Sequence, residues 1–133
     1  MTKTQMNEPK NMLVMKFGGS SVGSADAMAQ TVGIIKSANS EWKHVVVVTS
    51  ALSGVTNRLL KGASKSSQGD MHSIYQAESE IRAIHDKIAD ELISDQAQKK
   101  QVKQEISHLI SDFINLCQAI AVLGEATPRA IDA

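Results

Sequence analysis

The chain has 133 residues, the size of one domain able to bury a core. Hydrophobic residues make up 42% and aromatics only 3%, so Val, Ile, Leu, Ala and Met must build that core. Fourteen basic side chains balance fourteen acidic ones, which excludes the broad positive field of a protein that coats nucleic acid or an anionic membrane and leaves room for a local anion site.

Met1 to Asn11 is polar, carries Pro9 and lacks the apolar core of a signal peptide, so it is expected to be a mobile tail. No apolar run is expected to reach the roughly 20 residues that span a bilayer. Met12 to Phe17 reads as a short strand ending at Gly18-Gly19, with a tight loop of small residues through Ser24. Ser24 is a candidate N-cap, and Asp26 would complement the helix dipole in the first turn. Ala27, Met28, Thr31, Ile34 and Ile35 then recur at helical spacing to about Ala38, and a turn is expected at Asn39-Ser40. His44 to Thr49 contains four consecutive valines, the pattern of a strand buried on both faces in a parallel sheet. Strand, helix and strand in this order predict a βαβ unit with a right-handed crossover.

A small, polar segment, Ser50 to Asn57, leads into a predicted helix through Leu59, Leu60 and Ala63, and Lys65 to Asp70 reads as a loop. Two long helices follow. Ile74, Ala77, Ile81, Ile84, Ile88 and Leu92 repeat at helical spacing, as do Val102, Ile106, Leu109, Ile110, Phe113, Leu116, Cys117 and Ile120. The break at Ser94-Asp95-Gln96 predicts an αα-hairpin whose apolar stripes face each other or the sheet. Cys117, the single cysteine, excludes an internal disulfide, suits a reducing cytoplasmic setting and reads as a small buried hydrophobe. Thr127-Pro128 has the chemistry of a further helix start, so the chain is expected to be part of a longer domain.

Two segments could carry chemistry, and both follow the carboxyl ends of predicted parallel strands, where open α/β sheets bind ligands. Gly18 and Gly19 let backbone N–H groups approach a phosphate, Lys16 adds a positive charge, and the helix starting near Ser24 would add its positive end. The order differs from the Walker arrangement, and an ordinary glycine turn is the alternative. The second segment has four hydroxyls, on Thr49, Ser50, Ser53 and Thr56, which could bind a carboxylate or phosphate; Ser53 or Thr56 could instead simply cap the next helix.

Val14 to Val22, with its Lys16-Phe17-Gly18-Gly19-Ser20-Ser21 core, and Val46 to Asn57, with Thr49-Ser50-Ala51-Leu52-Ser53-Gly54-Val55-Thr56-Asn57, together resemble the opening of the aspartate kinases. Val122 to Arg129 resembles the segment before that family's Gly-Glu-Arg motif. The resemblance runs from about Met12 to the end. It implies an α/β fold of the amino-acid kinase type, a three-layer α/β/α sandwich around a mainly parallel sheet. This chain would supply only its N-terminal portion: a tail over residues 1–11 and a truncated catalytic domain over 12–133. The implied reaction is ATP-dependent phosphorylation of L-aspartate to 4-phospho-L-aspartate, the first step toward lysine, threonine and methionine. By position, Lys16 would neutralise charge on the transferring phosphoryl group. Phe17, Gly18, Gly19 and Ser20 would join it in binding ATP, with Mg²⁺ carried on the nucleotide, and Ser50 and Thr56 would contact aspartate. Many relatives have Thr at the position of Ser20, a change that keeps the hydroxyl.

Glu125 follows a glycine but lies before the implied Gly-Glu-Arg position, so it reads as structural, and the chain alone is expected to have little kinase activity. The resemblance further implies a cytoplasmic enzyme that is a homo-oligomer at full length and has neither nucleic-acid nor membrane partners. A glutamate or acetylglutamate kinase would share the Lys-x-Gly-Gly loop, and a non-catalytic nucleotide-binding module is the competing class. His44, His72, His85 and His108 share no metal-ligand spacing, so no metal site is predicted. Lys99, Lys100 and Lys103 read as a solvated face, and Glu78, Glu80, Asp86, Asp90 and Glu91 as the polar side of a helix without a catalytic carboxylate pair.

Overall fold

The computed structural model describes residues 10–124, and the chain divides into two compact units, Met1–Ser53 and Gly54–Ala133. The Thr127-Pro128 helix start, Glu125 and most of the expected tail lie outside the described residues.

In the first unit, strand β1 (Lys10–Phe17) leads through a four-residue helix α1 (Gly19–Val22) to helix α2 (Ala25–Glu41) and strand β2 (Trp42–Thr49). The strands pair in parallel, with Leu13 opposite Val45 and Phe17 opposite Thr49. This is the predicted βαβ order, and β1 starts two residues earlier than expected. The Ser24 cap is present: its Oγ accepts a hydrogen bond from the Ala27 N–H at 3.2 Å. The turn expected at Asn39-Ser40 is instead the last turn of α2. Ser40 satisfies its hydroxyl locally by donating to the Ser37 carbonyl at 2.7 Å, and only the extended backbone of Trp42 ends the helix.

Two further expectations fail in this unit. Val46, Val47 and Val48 are 38–46% exposed rather than buried on both faces. Burial on both faces needs a layer against each, and within the unit these strands have one another and the helices packed on them. Ile34, placed in the apolar stripe of α2, is likewise exposed, while the polar Thr31 is buried.

The second unit is helical: α3 (Val55–Ser66), α4 (Met71–Leu92) and α5 (Gln96–Leu123). The predicted αα-hairpin is present as α4 and α5, which pack on each other and on α3. Helix α3 runs to Ser66, further into the expected Ser/Gly loop. Asp70 and Asp95 cap the two long helices by accepting from the N–H groups of Ser73 and Gln98. Their buried positions follow the predicted stripes: Ile74, Ala77 and Ile81 on α4, and Ile110, Cys117 and Ile120 on α5. Leu109, assigned to the same stripe, is 68% exposed. Gly62 of α3 lets the ring of Phe113 approach, since a Cβ there would stand 2.9 Å from the ring.

Helix α5 also departs from the membrane expectation. It contains an 18-residue window of mean hydropathy 1.5, long and apolar enough by composition to cross a bilayer. A helix packed in a folded core passes the same test, and α5 packs on α3 and α4 while burying Ile110, Cys117 and Ile120. Burial pushes the Cys117 thiol upward in pKa, opposed by a hydrogen bond with Ser66.

Candidate active site

Parallel pairing carries the two candidate loops to the same edge of the sheet. Lys16 stands opposite Val48 and Phe17 opposite Thr49, so the carboxyl ends of β1 and β2 are level. One more bond continues the pairing past β2, from the Ser50 N–H to the Phe17 carbonyl at 3.0 Å. The loops then touch: a Cβ on Gly19 would sit 3.7 Å from the Ala51 carbonyl oxygen and 3.9 Å from Ser50 Oγ. Lys16, Ser20 and Ser50 are exposed, and Phe17, Gly18 and Gly19 are half-buried. The result is an accessible edge that presents an ammonium group, hydroxyls and glycine backbone.

The tight loop expected after the glycines holds a short helix of its own. Gly18 is the extended residue before α1, and the Ser21 N–H bonds the Gly18 carbonyl at 2.9 Å. Small side chains at Ser20 and Ser21 allow this tight turn. The first helical backbone after the glycines is therefore α1, and α2 starts only after Gly23-Ser24.

Thr56 lies in the second unit, exposed in the first turn of α3. Neither Ser53 nor Thr56 caps this helix. The N-cap residue is Gly54, whose φ of +78° is a left-handed conformation that side chains resist, and it has no side chain to accept from the first helical N–H groups. Arg58 belongs to no motif that marks it for this position. Its Nη1 donates to the Gly54 carbonyl at 3.0 Å and its Nε to Glu80 Oε2 at 2.7 Å. The hydrogen bond from Arg58, then that from Gln76, holds the Glu80 carboxyl below its usual pKa.

Other polar residues of this unit bond across the helix pair. Lys103 bonds Asp90 at 2.8 Å and Lys99 donates to the Asp90 carbonyl at 3.1 Å, so these lysines tie α5 to α4 rather than forming a purely solvated face. An open groove of about 470 Å³ is lined by Leu59, Leu60, Phe113 and other apolar side chains. Among the described residues its ionisable lining is His85 and Asp112, which suits a charged nucleotide poorly. Among the described residues no group of three or more His, Cys, Asp or Glu could hold a metal ion.

Residues 11–127 match the amino acid kinase family. The chain belongs to that family. As an amino acid kinase chain it is 33% identical to the chloroplastic aspartokinase 3 of Arabidopsis thaliana over 132 residues, covering 98% of this chain and 22% of that protein. It is 32% identical to the aspartokinase of Candida albicans, covering 90% of this chain and again 22% of the relative. A crystal structure of E. coli aspartokinase III in complex with aspartate and ADP matches with a TM-score of 0.73 at 27% identity, over 92% of this chain and 25% of that one. The fold is thus the corresponding part of the amino-acid kinase α/β fold, and the chain spans about a quarter of the length of these relatives.

Proposed function

We propose that this chain forms the phosphate-handling part of an aspartate kinase, which transfers the γ-phosphoryl group of ATP to the side-chain carboxylate of L-aspartate. The observation that carries this reading is the meeting of the Lys16–Ser20 segment with Ser50 at one sheet edge. Its likeness to aspartokinases over nearly the whole chain supports the choice of substrate.

In this reading a carboxylate oxygen of aspartate attacks the γ-phosphorus in line, and ADP leaves as the bond to its bridging oxygen breaks. Such a transfer depends on positioning and on neutralising charge on the phosphoryl oxygens. Lys16 supplies the neutralising charge. Backbone groups of Phe17, Gly18 and Gly19 and the Ser20 hydroxyl hold the nucleotide phosphates, and Ser50 and Thr56 contact aspartate. The donors at this edge are an ammonium, hydroxyls and N–H groups, which suit phosphate oxygens rather than a bare cation, so Mg²⁺ would enter on the nucleotide. The product, 4-phospho-L-aspartate, would open the route to lysine, threonine and methionine, in a cytoplasmic enzyme that is a homo-oligomer at full length.

The test is ADP release by the full-length enzyme with aspartate, glutamate or acetylglutamate as the acceptor. Aspartate is expected to support turnover at least tenfold better than either competitor. Preference for another acceptor would assign a different amino-acid kinase, and no acceptor-dependent turnover would leave a binding module.

A further inference from the structure

Thr31 is polar, buried and in the middle of α2, yet it does not make the usual bond to its own helix. A threonine there commonly donates to the carbonyl four residues back. Its Oγ1 instead donates to the carbonyl of Ser21 in α1, ten residues upstream, at 2.8 Å. A helix as short as α1 leaves its last carbonyls without partners of its own, so this hydroxyl satisfies a group that would otherwise lack one. At the end of the same turn Gly23 has φ −80°, a value open to any residue, so backbone freedom is not why a glycine suits the position. Space is the reason. A Cβ on Gly23 would lie 2.7 Å from the Gly19 carbonyl oxygen and 3.0 Å from Ser53 Cβ.

We infer that Thr31 is a positioning residue for phosphoryl transfer: with the bare Cα of Gly23 it clamps α1, and so fixes Gly19 and Ser20 against the Ser50–Ser53 segment. Thr31 touches neither substrate, and the inference rests on the reading of Lys16–Ser20 as the nucleotide loop. Without the hydroxyl, α1 loses its tie to α2, and the backbone following Gly18 is held less closely in the geometry that meets the phosphates.

The test uses steady-state kinetics of the full-length enzyme with ATP and aspartate varied separately. Thr31→Val keeps the shape and removes the donor. It is expected to raise KM for ATP or lower kcat by about fivefold, the worth of one hydrogen bond, with KM for aspartate within about twofold. Thr31→Ser restores the donor and is expected to recover most of the loss. Parent-like kinetics in Thr31→Val, or a Thr31→Ser variant as impaired as Thr31→Val, would overturn the clamp. If Thr31→Val does not fold, Gly23→Ala carries the test, and parent-like kinetics there has the same meaning. Lys16→Ala separates the two levels. If it retains turnover, the nucleotide-loop reading fails and takes the clamp with it; if it loses turnover while Thr31→Val is silent, only the clamp fails.

Discussion

The backbone N–H of Ser50 donates to the carbonyl of Phe17 at 3.0 Å, one step past the last residue of β2. This bond keeps the two strand ends together up to the point where the candidate loops begin. Ser50 therefore stands beside the Lys16–Ser20 segment because its own backbone is fixed there, with its hydroxyl left exposed.

Lys16 is exposed near the end of β1 and forms none of the ion pairs found among the described residues. Lys16→Ala is therefore expected to leave the melting temperature within about 2 °C of the parent, since exposed substitutions rarely change stability much. Turnover with ATP and aspartate should fall at least ~100-fold, because charge neutralisation contributes several kcal/mol in phosphoryl transfer. Kinetics and a thermal melt on the same preparation check both halves.

Thr56→Val removes an exposed hydroxyl that makes no helix cap. KM for aspartate is expected to rise about tenfold, as for loss of one hydrogen bond to a charged group, with KM for ATP unchanged. An unchanged aspartate KM would remove Thr56 from the substrate site.

Gly54→Ala places a side chain in a left-handed conformation, where its Cβ would also meet Arg58 Nη1 at 2.5 Å. The expected loss of stability is about 1–2 kcal/mol from the backbone alone. Adding Arg58→Ala should relieve the steric part, so a double-mutant cycle by urea unfolding should show non-additivity.

Ile74 is fully buried in α4. Ile74→Ala is expected to cost about 2–5 kcal/mol, read as a lower urea midpoint with a similar slope.

Acid should loosen the α4–α5 pairing. The hydrogen bond from Lys103 holds the Asp90 carboxyl below its ordinary 3.8 and raises the Lys103 ammonium above its ordinary 10.5. The Asp90 contribution is present above pH 3.8 and is lost as pH falls through the lowered folded value; the Lys103 contribution is lost as pH rises through its raised value. The pair is exposed, so the effect is small and screened by salt. Melting temperatures of Asp90→Asn and the parent should differ at pH 7 and draw together as pH falls further and further below 3.8.

Side-chain spacing is enough to place most of the local elements and both candidate loops. Period and punctuation marked the βαβ unit, the αα-hairpin and the Ser24 cap, because these depend on side chains a few residues apart. The Lys16–Ser20 and Ser50–Asn57 segments were visible as small, polar stretches at strand ends. Which groups meet depends on the folded chain. Thr31 reads in the sequence as one more member of an apolar stripe, and only the fold shows that its buried hydroxyl bonds a carbonyl ten residues away. Lys99 and Lys103 look solvated until α4 brings Asp90 to them. The four valines look doubly buried, but burial depends on the layers packed over a strand, which a strand's own composition cannot specify. Local spacing encodes backbone conformation, whereas hydrogen-bond partners and burial belong to distant residues that only the folded chain brings together.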